Sequence, residues 1–423
     1  MVMCALLSWL VGVSVSSVGI AALTAAFVAV GCCVAAAGFY LVGLSVAAFF
    51  YTELMPRATP ISRVAVLIPA FNESALIARC VRSLRAQTYP SNLYEIVVVA
   101  DNCTDDTAVL AAQAGAHRVM RRDAPDARGK GRALRWAMDQ LLAEQSPPAA
   151  VVIIDADSVA APQTLSALVE RFEAGAPAAQ GSCLLYGDGT LLAGLRVAAF
   201  LLVNQALPMG RAVLGRSTYL AGNGMLLSRE LLLARPWDAF TSVEDLEYSL
   251  TLRSSGVTIA FVKEAIVYSS TAPTAEAAAK QQLRWEGGKA HLTRMWLPKL
   301  IASGLRQRRP ALLALAFELA IPPLALLAVM VIGGALAGAG LAAAGVTPTW
   351  ALAPWLAAGL AIPLYVLIGL RATHAPRSEY LALVLAPILI LAKPLRAYRV
   401  LTFRADTWLR TERAAESELR RKV

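Results

Sequence analysis

Between residues 63 and 154 the chain switches repeatedly between two apolar patterns. Continuous runs at 63–69 (Val64, Val66, Leu67, Ile68), 94–100 (Ile96 to Val99) and 151–154 suit strands buried on both faces of a parallel sheet. Stretches with apolar residues three and four apart lie between them: 75–87 (Leu76, Ile77, Cys80, Val81, Leu84), 107–114 and 130–142. Those spacings predict helices, and a short strand fits at 117–121. Strand, helix, strand, helix in this order predicts a right-handed parallel α/β sheet. Outside this region the pattern changes. Residues 1–52 hold no Lys, Arg, Asp or Glu, and from 310 to 370 the one charge is Glu318. The N-terminal tract has room for one or two crossings at about 20 residues each. Downstream, 311–337 and 350–370 predict two spans. Residues 380–392, interrupted by Pro387, are too short to cross and suit an interfacial or re-entrant segment.

Composition agrees with a hybrid. Of 423 residues, 57% are hydrophobic and 16% charged, below the quarter usual for a soluble domain. The layout expected is a transmembrane region at 1–52, a globular domain at 53–275, an amphipathic interface helix at 276–309, two crossings at 310–371, and an interfacial segment with a basic tail at 372–423. Arg371, His374 and Arg377 precede the short segment, and Lys393, Arg396 and Arg399 follow it. The positive-inside rule puts both flanks, the globular domain and the tail in the cytosol of a multi-pass plasma (inner) membrane protein. The net charge of +10 is then a topology and membrane-surface signal. No basic patch interleaved with aromatics points to nucleic acid. Six cysteines without a C-x-x-C pair, and three histidines, argue against zinc and disulfide frameworks.

The chemistry clusters where strands end. Residues 151–154 run into Asp155 and Asp157, and in open α/β sheets ligands sit at the carboxyl ends of strands. Two carboxylates there suit a hard cation such as Mg²⁺ or Mn²⁺, with phosphate oxygens as further ligands, although Asp-x-Asp alone also fits a solvated turn. Asp101 ends the second strand. Lys130, between Gly129 and Gly131, opens a helix whose N-terminus suits an anion. No P-loop and no dinucleotide fingerprint is present. Residues 221–225 (Ala-Gly-Asn-Gly-Met) form a Gly-rich turn. Ser242 fits a helix N-cap with Glu244 and Asp245 in the first turn; Asp245 is alternatively a general base. Gln281, Arg284 and Trp285 fall on a helix at 275–296, fit for the headgroup layer, a binding role, or both.

In this order the elements resemble a processive, membrane-embedded family 2 glycosyltransferase, the group of cellulose, chitin and hyaluronan synthases. The resemblance rests on Pro69-x-x-Asn72-Glu73, Asp101, Asp155-x-Asp157, Glu244-Asp245 and Gln281-x-x-Arg284-Trp285, and covers about residues 63–296. It implies a GT-A-like (Rossmann-like) α/β domain between transmembrane helices and an inverting, metal-dependent hexosyltransferase using a UDP-sugar. Glu73, Asp101, Lys130 and Asp155 would bind the nucleotide. Asp155 and Asp157 would hold Mg²⁺ or Mn²⁺. Asp245, beside Glu244, would be the base, and Gln281, Arg284 and Trp285 would line the acceptor and diphosphate end. Expected partners are the UDP-sugar, a polysaccharide or lipid-linked saccharide acceptor, and membrane lipids, with room for export or assembly partners. Two departures stand out. Asp101 lacks the acidic neighbour many members carry, and the membrane part is small for a synthase that secretes its polymer. Transfer of one sugar to a lipid or lipid-linked acceptor is the alternative. An inactive membrane scaffold is the alternative of another class.

Overall fold

A computed structural model describes residues 17–52, 60–186, 189–270 and 275–391. The globular part is one eight-stranded sheet in the order β3-β2-β1-β4-β7-β6-β8-β5. Its strands are β1 (Val64–Ala70), β2 (Tyr94–Asp101), β3 (Arg118–Arg122), β4 (Ala150–Ile153), β5 (Ser158–Ala160), β6 (Ala178–Tyr186), β7 (Met225–Ser228) and β8 (Ile259–Ser270). The first four are parallel, as their apolar runs and crossover helices predict. The other half corrects the all-parallel expectation. β7 is antiparallel to β4 and β6, and β5 is antiparallel to β8. The crossover rule governs strands joined by one packing helix. β7 is reached through a long apolar helical insertion and returns in the opposite direction.

The soluble helices are α2 (Ile77–Arg85), α3 (Thr107–Gln113), α4 (Lys130–Leu142), α5 (Thr164–Glu173), α8 (Arg229–Ala234) and α9 (Glu244–Ser254); α1, α6 and α7 are membrane-side helices given below. Alternate residues of β1 face opposite layers. Val64, Val66 and Ile68 pack with Ile77, Cys80 and Leu84 of α2 and Leu165 and Leu168 of α5. Ala65 and Leu67 pack with Leu134 and Met138 of α4 and Tyr248 and Leu252 of α9. Each fully buried branched side chain contributes about 1.5–3 kcal/mol, so both layers hold the sheet rigidly beneath the loops at its carboxyl edge.

The membrane side comprises α1 (Ser17–Ala48), α6 (Leu191–Leu201), α7 (Leu207–Val213), α10 (Ala275–Arg306), α11 (Pro310–Ala320), α12 (Leu324–Ala343), α13 (Ala353–Ala372), α14 (Arg377–Ala382) and α15 (Ala386–Leu391). Four helical stretches among the described residues are long and apolar enough to cross a membrane: Ser17–Ala48, Leu191–Val213, Leu324–Ala343 and Thr349–Ala372. The N-terminal tract is thus one continuous helix from Ser17 to Ala48 among the described residues. Small residues bring helices together. A Cβ on Gly31 would strike Trp355 at 2.8 Å, and one on Gly38 would strike Ala361 at 2.9 Å, as expected where backbones approach closely.

Two expectations change here. The span at 311–337 is broken, because Pro322 and Pro323 end α11 and α12 starts afresh; proline removes the amide and clashes with the preceding turn. The stretch Leu191–Val213, read from sequence as part of the soluble domain, is an apolar helix interrupted by one wider turn at Leu202–Ala206. Its Leu201, Leu202 and Leu207 pack with Val34 and Leu41 of α1 and Trp355 of α13. The short segment after α13 forms α14 and α15, and Ala382 lies against Gly194 of α6. Its basic C-terminal flank and the tail, 392–423, lie outside the described residues.

Candidate active site

The loops after β1 and β2 are stitched by their own polar side chains. Asn72 and Asn102 adopt positive φ, 50° and 51°, a conformation Asn tolerates better than most residues. Thr104 donates its amide to Asn72 Oδ1 at 2.8 Å, and Glu73 donates its amide to Thr107 Oγ1 at 2.8 Å. Glu73 and Asp101 are therefore held on adjacent loops. Asp101 is buried and accepts from Arg122 Nη1 at 2.5 Å and from Asn102 Nδ2 at 2.9 Å. Burial pushes its carboxyl up, with Arg122 pulling the other way.

Asp155 and Asp157 lie past the carboxyl end of β4, in the turn linking it to β5; β4 ends at Ile153. The turn is fixed by Asn223, whose Oδ1 accepts from the Asp155 amide at 3.0 Å. The Asn223 amide donates to Ser158 Oγ at 2.8 Å and Ser269 Oγ at 3.2 Å. Gln180 supports it from β6, donating to the Asn223 carbonyl at 2.7 Å and accepting from the Ala221 amide at 2.7 Å. The sequence singled out the Gly-rich turn but neither Asn223 nor Gln180 as its supports.

Lys130, the first residue of α4, sits at the centre. Its Nζ lies 2.6 Å from Asp155 Oδ1, 3.5 Å from Glu244 Oε1, and donates to the Gly222 carbonyl at 2.6 Å. Burial penalises the cation, yet Asp155 and Glu244 outweigh that and hold its pKa above the usual lysine range. Gly222 has φ +78°. A Cβ there would lie 3.1 Å from Asp245 Oδ2 and 3.4 Å from Lys130 Nζ, so glycine both permits the turn and leaves room for the carboxylate. Asp245 has its carboxyl raised to about 7, first by burial and then by Glu244, with Lys130 opposing. Asp155 is also raised, by burial and by Asp157, against Lys130.

Thus Lys130, Asp155, Glu244 and Asp245 come together, with Asp157 beside Asp155. Glu244 meets Lys130 and is buried, which places it behind the cation. Ser242 does not cap α9. The cap position is Val243, without a side-chain bond. Glu247 instead accepts the Phe240 and Thr241 amides at 3.0 Å, while Ser242 Oγ lies 3.1 Å from where a Gly288 Cβ would be.

Gln281, Arg284 and Trp285 lie on α10, which runs on to Arg306, beyond the expected end at 296. No hydrogen bond or ion pair found among the described residues joins these three to the Lys130 cluster. Their helix meets it through Gly288, against which Val243 packs. Trp285 is 39% exposed, and its ring contacts Phe200 of α6 at 5.8 Å. Arg284 Nε is buried and has no hydrogen-bond partner among the described residues.

The set is oxygen-rich and centred on one cation. Among the described residues no group of three His, Cys, Asp or Glu side chains could hold a metal ion alone. The glycosyltransferase-like family 2 pattern matches residues 60–288, from just before β1 to the Gly288 contact. The chain belongs to glycosyltransferase family 2. Among relatives, the chain is 28% identical over 255 residues to the beta-monoglucosyldiacylglycerol synthase of Trichormus variabilis, 58% of this chain and 53% of that protein. It is 26% identical over 244 residues to the enzyme of the same name from Synechocystis, 56% and 50% of the two chains. The chain thus spans about half the length of these curated relatives. A mannosyltransferase of Pyrobaculum calidifontis, solved in complex with GDP-Man and Mn²⁺, shares the fold. Its TM-score is 0.55 at 21% identity, over 87% of this chain and 99% of that one.

Proposed function

We propose that this family 2 glycosyltransferase moves one hexose from a UDP-sugar to a membrane lipid, with inversion at the anomeric carbon. The observation that carries the lipid acceptor is the insertion Leu191–Val213. An apolar helical stretch packed on α1 and α13 enters the catalytic domain between β6 and β7, and its Phe200 meets Trp285. In this reading the acceptor flank of the site is built from membrane-side helices. The relatives named as glucosyldiacylglycerol synthases favour the same reading over the growth of a polysaccharide. The globular domain faces the cytosol in this reading, following the basic flanks of the C-terminal segment.

The residues divide the work. Glu73 and Asp101, on the loops after β1 and β2, receive the nucleoside. Asp155 and Asp157 fit a divalent cation: they are neighbouring carboxylates, Asp157 is the like charge that raises Asp155 most, and both supply only hard oxygen donors. A site with two carboxylates and no third protein ligand suits Mg²⁺ or Mn²⁺ completed by phosphate oxygens and water. When bound, the ion neutralises charge on the departing diphosphate. Lys130 anchors Asp155 and Glu244, so the site is preorganised. Arg284, whose buried Nε has no hydrogen-bond partner among the described residues, is a further cation for the diphosphate. Asp245 takes the proton of the acceptor hydroxyl as its oxygen attacks the anomeric carbon and the bond to UDP breaks. Its pKa near 7 matches a base working near neutrality. Trp285 and Phe200 offer an apolar wall to the acceptor.

The test is nucleotide release by the purified protein in detergent with Mg²⁺ or Mn²⁺, across a panel of UDP-sugars, with and without diacylglycerol. Release with one donor, increased by the lipid and cut to a small residual rate in Asp245→Asn, is expected. Donor-dependent release that diacylglycerol leaves unchanged would overturn the acceptor assignment.

A further inference from the structure

Glu318 is the one charge between residues 310 and 370, and its side chain is 2% exposed. It accepts from Arg253 Nη1 at 2.9 Å and from Tyr40 Oη at 2.6 Å, and Arg211 Nε lies 3.5 Å away. The Arg253 and Arg211 guanidiniums also stand over the Tyr219 ring, at 4.1 and 5.3 Å from its centre. One carboxylate therefore joins α1, α7, α9 and α11. Pro322 and Pro323 end α11 one turn later, freeing the Ile321 carbonyl. Lys289 Nζ of α10 donates to it at 2.7 Å. The interruption between α11 and α12 is thus tied both to the helix carrying Asp245 and to the helix carrying Arg284 and Trp285.

A second path runs through four consecutive residues. Tyr219 lies under the two guanidiniums. Leu220 donates its amide to Ser249 Oγ at 2.8 Å, and that hydroxyl donates to the Asp245 carbonyl at 2.7 Å. Ala221 donates to Gln180 Oε1, and the Gly222 carbonyl accepts from Lys130. Arg253 and Asp245 are the two ends of α9, about 12 Å apart at 1.5 Å per residue. Both ends of the helix, and the strip of chain beside it, are therefore anchored.

We propose that Glu318 is a positioning residue: through Arg253 and Tyr219 it sets where α9 and residues 219–222 hold Asp245 against Lys130, so that the membrane helix α11 fixes the base. This rests on the reading of Asp245 as the base. A misplacement of about 1 Å at a reacting group costs up to about a hundredfold in rate, so a small shift of α9 is enough to register. Glu318→Leu would strand two buried guanidiniums and threaten the fold. Glu318→Gln keeps the shape and one acceptor oxygen.

The experiment uses full-length protein in nanodiscs: wild type, Glu318→Gln, Glu318→Asp, Asp245→Asn, and the Glu318→Gln/Asp245→Asn double variant. Glu318→Gln is expected to lower kcat about tenfold or more with donor KM changed less than about twofold. Glu318→Asp recovers part of the loss. On the Asp245→Asn background Glu318→Gln costs nothing further, because the base it positions is gone. Amide exchange at Leu220 and along α9 accelerates in Glu318→Gln, while β1 is unchanged. An equal loss on both backgrounds, or a donor KM that rises in step with the loss, overturns the proposal. Wild-type turnover in Asp245→Asn, or no transfer by wild type, counts against the base reading instead. The exchange data then decide the link alone: acceleration at Leu220 and α9 upholds it, and unchanged exchange overturns it.

Discussion

Replacing Lys130 with methionine removes one cation from the midst of three carboxylates. Asp245 Oδ2 and Lys130 Nζ lie 3.1 and 3.4 Å from the same point, the Cβ position of Gly222. At most about 6.5 Å therefore separates them, which at an effective dielectric of about 20 is worth about 2.5 kcal/mol, close to two pH units. Lys130 is 25% exposed, and screening on that open side trims the effect to about one unit. The carboxyl of Asp245 is already raised to about 7. Lys130→Met should move it higher still, with Asp155 and Glu244 now unopposed. The acid limb of kcat/KM for UDP release should then shift up by about one unit. Activity at pH 7 should fall about fivefold and recover in large part above pH 8.5. Lys130→Arg, which keeps the charge, should leave the limb within about half a unit of wild type. The assay is a pH–rate profile from about pH 5.5 to 9.5 for the three proteins. A uniform loss in Lys130→Met, with the limb unmoved, would refute the electrostatic argument and leave Lys130 only its contact with the Gly222 carbonyl.

Three further outcomes follow from the same geometry. Asp245 ionises near 7 when folded and near 3.9 when unfolded, so between those values the unfolded chain holds fewer protons and stability falls as pH rises. Asp245→Asn should therefore unfold at a higher temperature than wild type at pH 8, by the equivalent of about 1–2 kcal/mol after allowing for the open side of the site, and at about the same temperature as wild type at pH 4. Arg122→Met leaves buried Asp101 without its cation and should cost about 3 kcal/mol in thermal unfolding and weaken UDP binding; adding Asp101→Asn should restore most of the stability. Gly222→Ala forces φ +78° on a residue with a Cβ and crowds Asp245 and Lys130. It should cost about 1–2 kcal/mol in stability, and it should lower kcat far more than donor KM.

Much of the soluble half was legible because its signals are local. The β-branched runs of β1, β2 and β4 are continuous and fully buried, and the helices between them keep an apolar face, so order and direction follow from short-range rules. Asp101, Asp155 and Lys130 fall where such a sheet exposes its strand ends and helix starts. The second half was less legible because β7 is antiparallel, and its direction depends on the helical insertion before it. That insertion was apolar in plain view, but Arg196, Asn204, Gln205 and Arg211 and its place between two strands disguised it. The break at Pro322-Pro323 was also visible, and hydropathy averaged over the span hid it. Ser242 has the residue type of a cap, yet Glu247 takes the loop amides and α10 takes the space beside its hydroxyl. The supports of the site could not be read at all. Asn223 and Gln180 matter through partners on other strands, and Glu318 meets Tyr40 across 278 residues of sequence.

The most direct test of the central claim is the mass of the lipid product. The protein would be reconstituted in nanodiscs containing diacylglycerol, with Mn²⁺ and the UDP-sugar that supports release, and the extracted lipids weighed by mass spectrometry. A single product heavier than the acceptor by one hexose, absent without the metal and reduced to a trace in Asp245→Asn, is the expected result. A ladder of hexose additions, or a soluble polymer with the lipid unchanged, would contradict it.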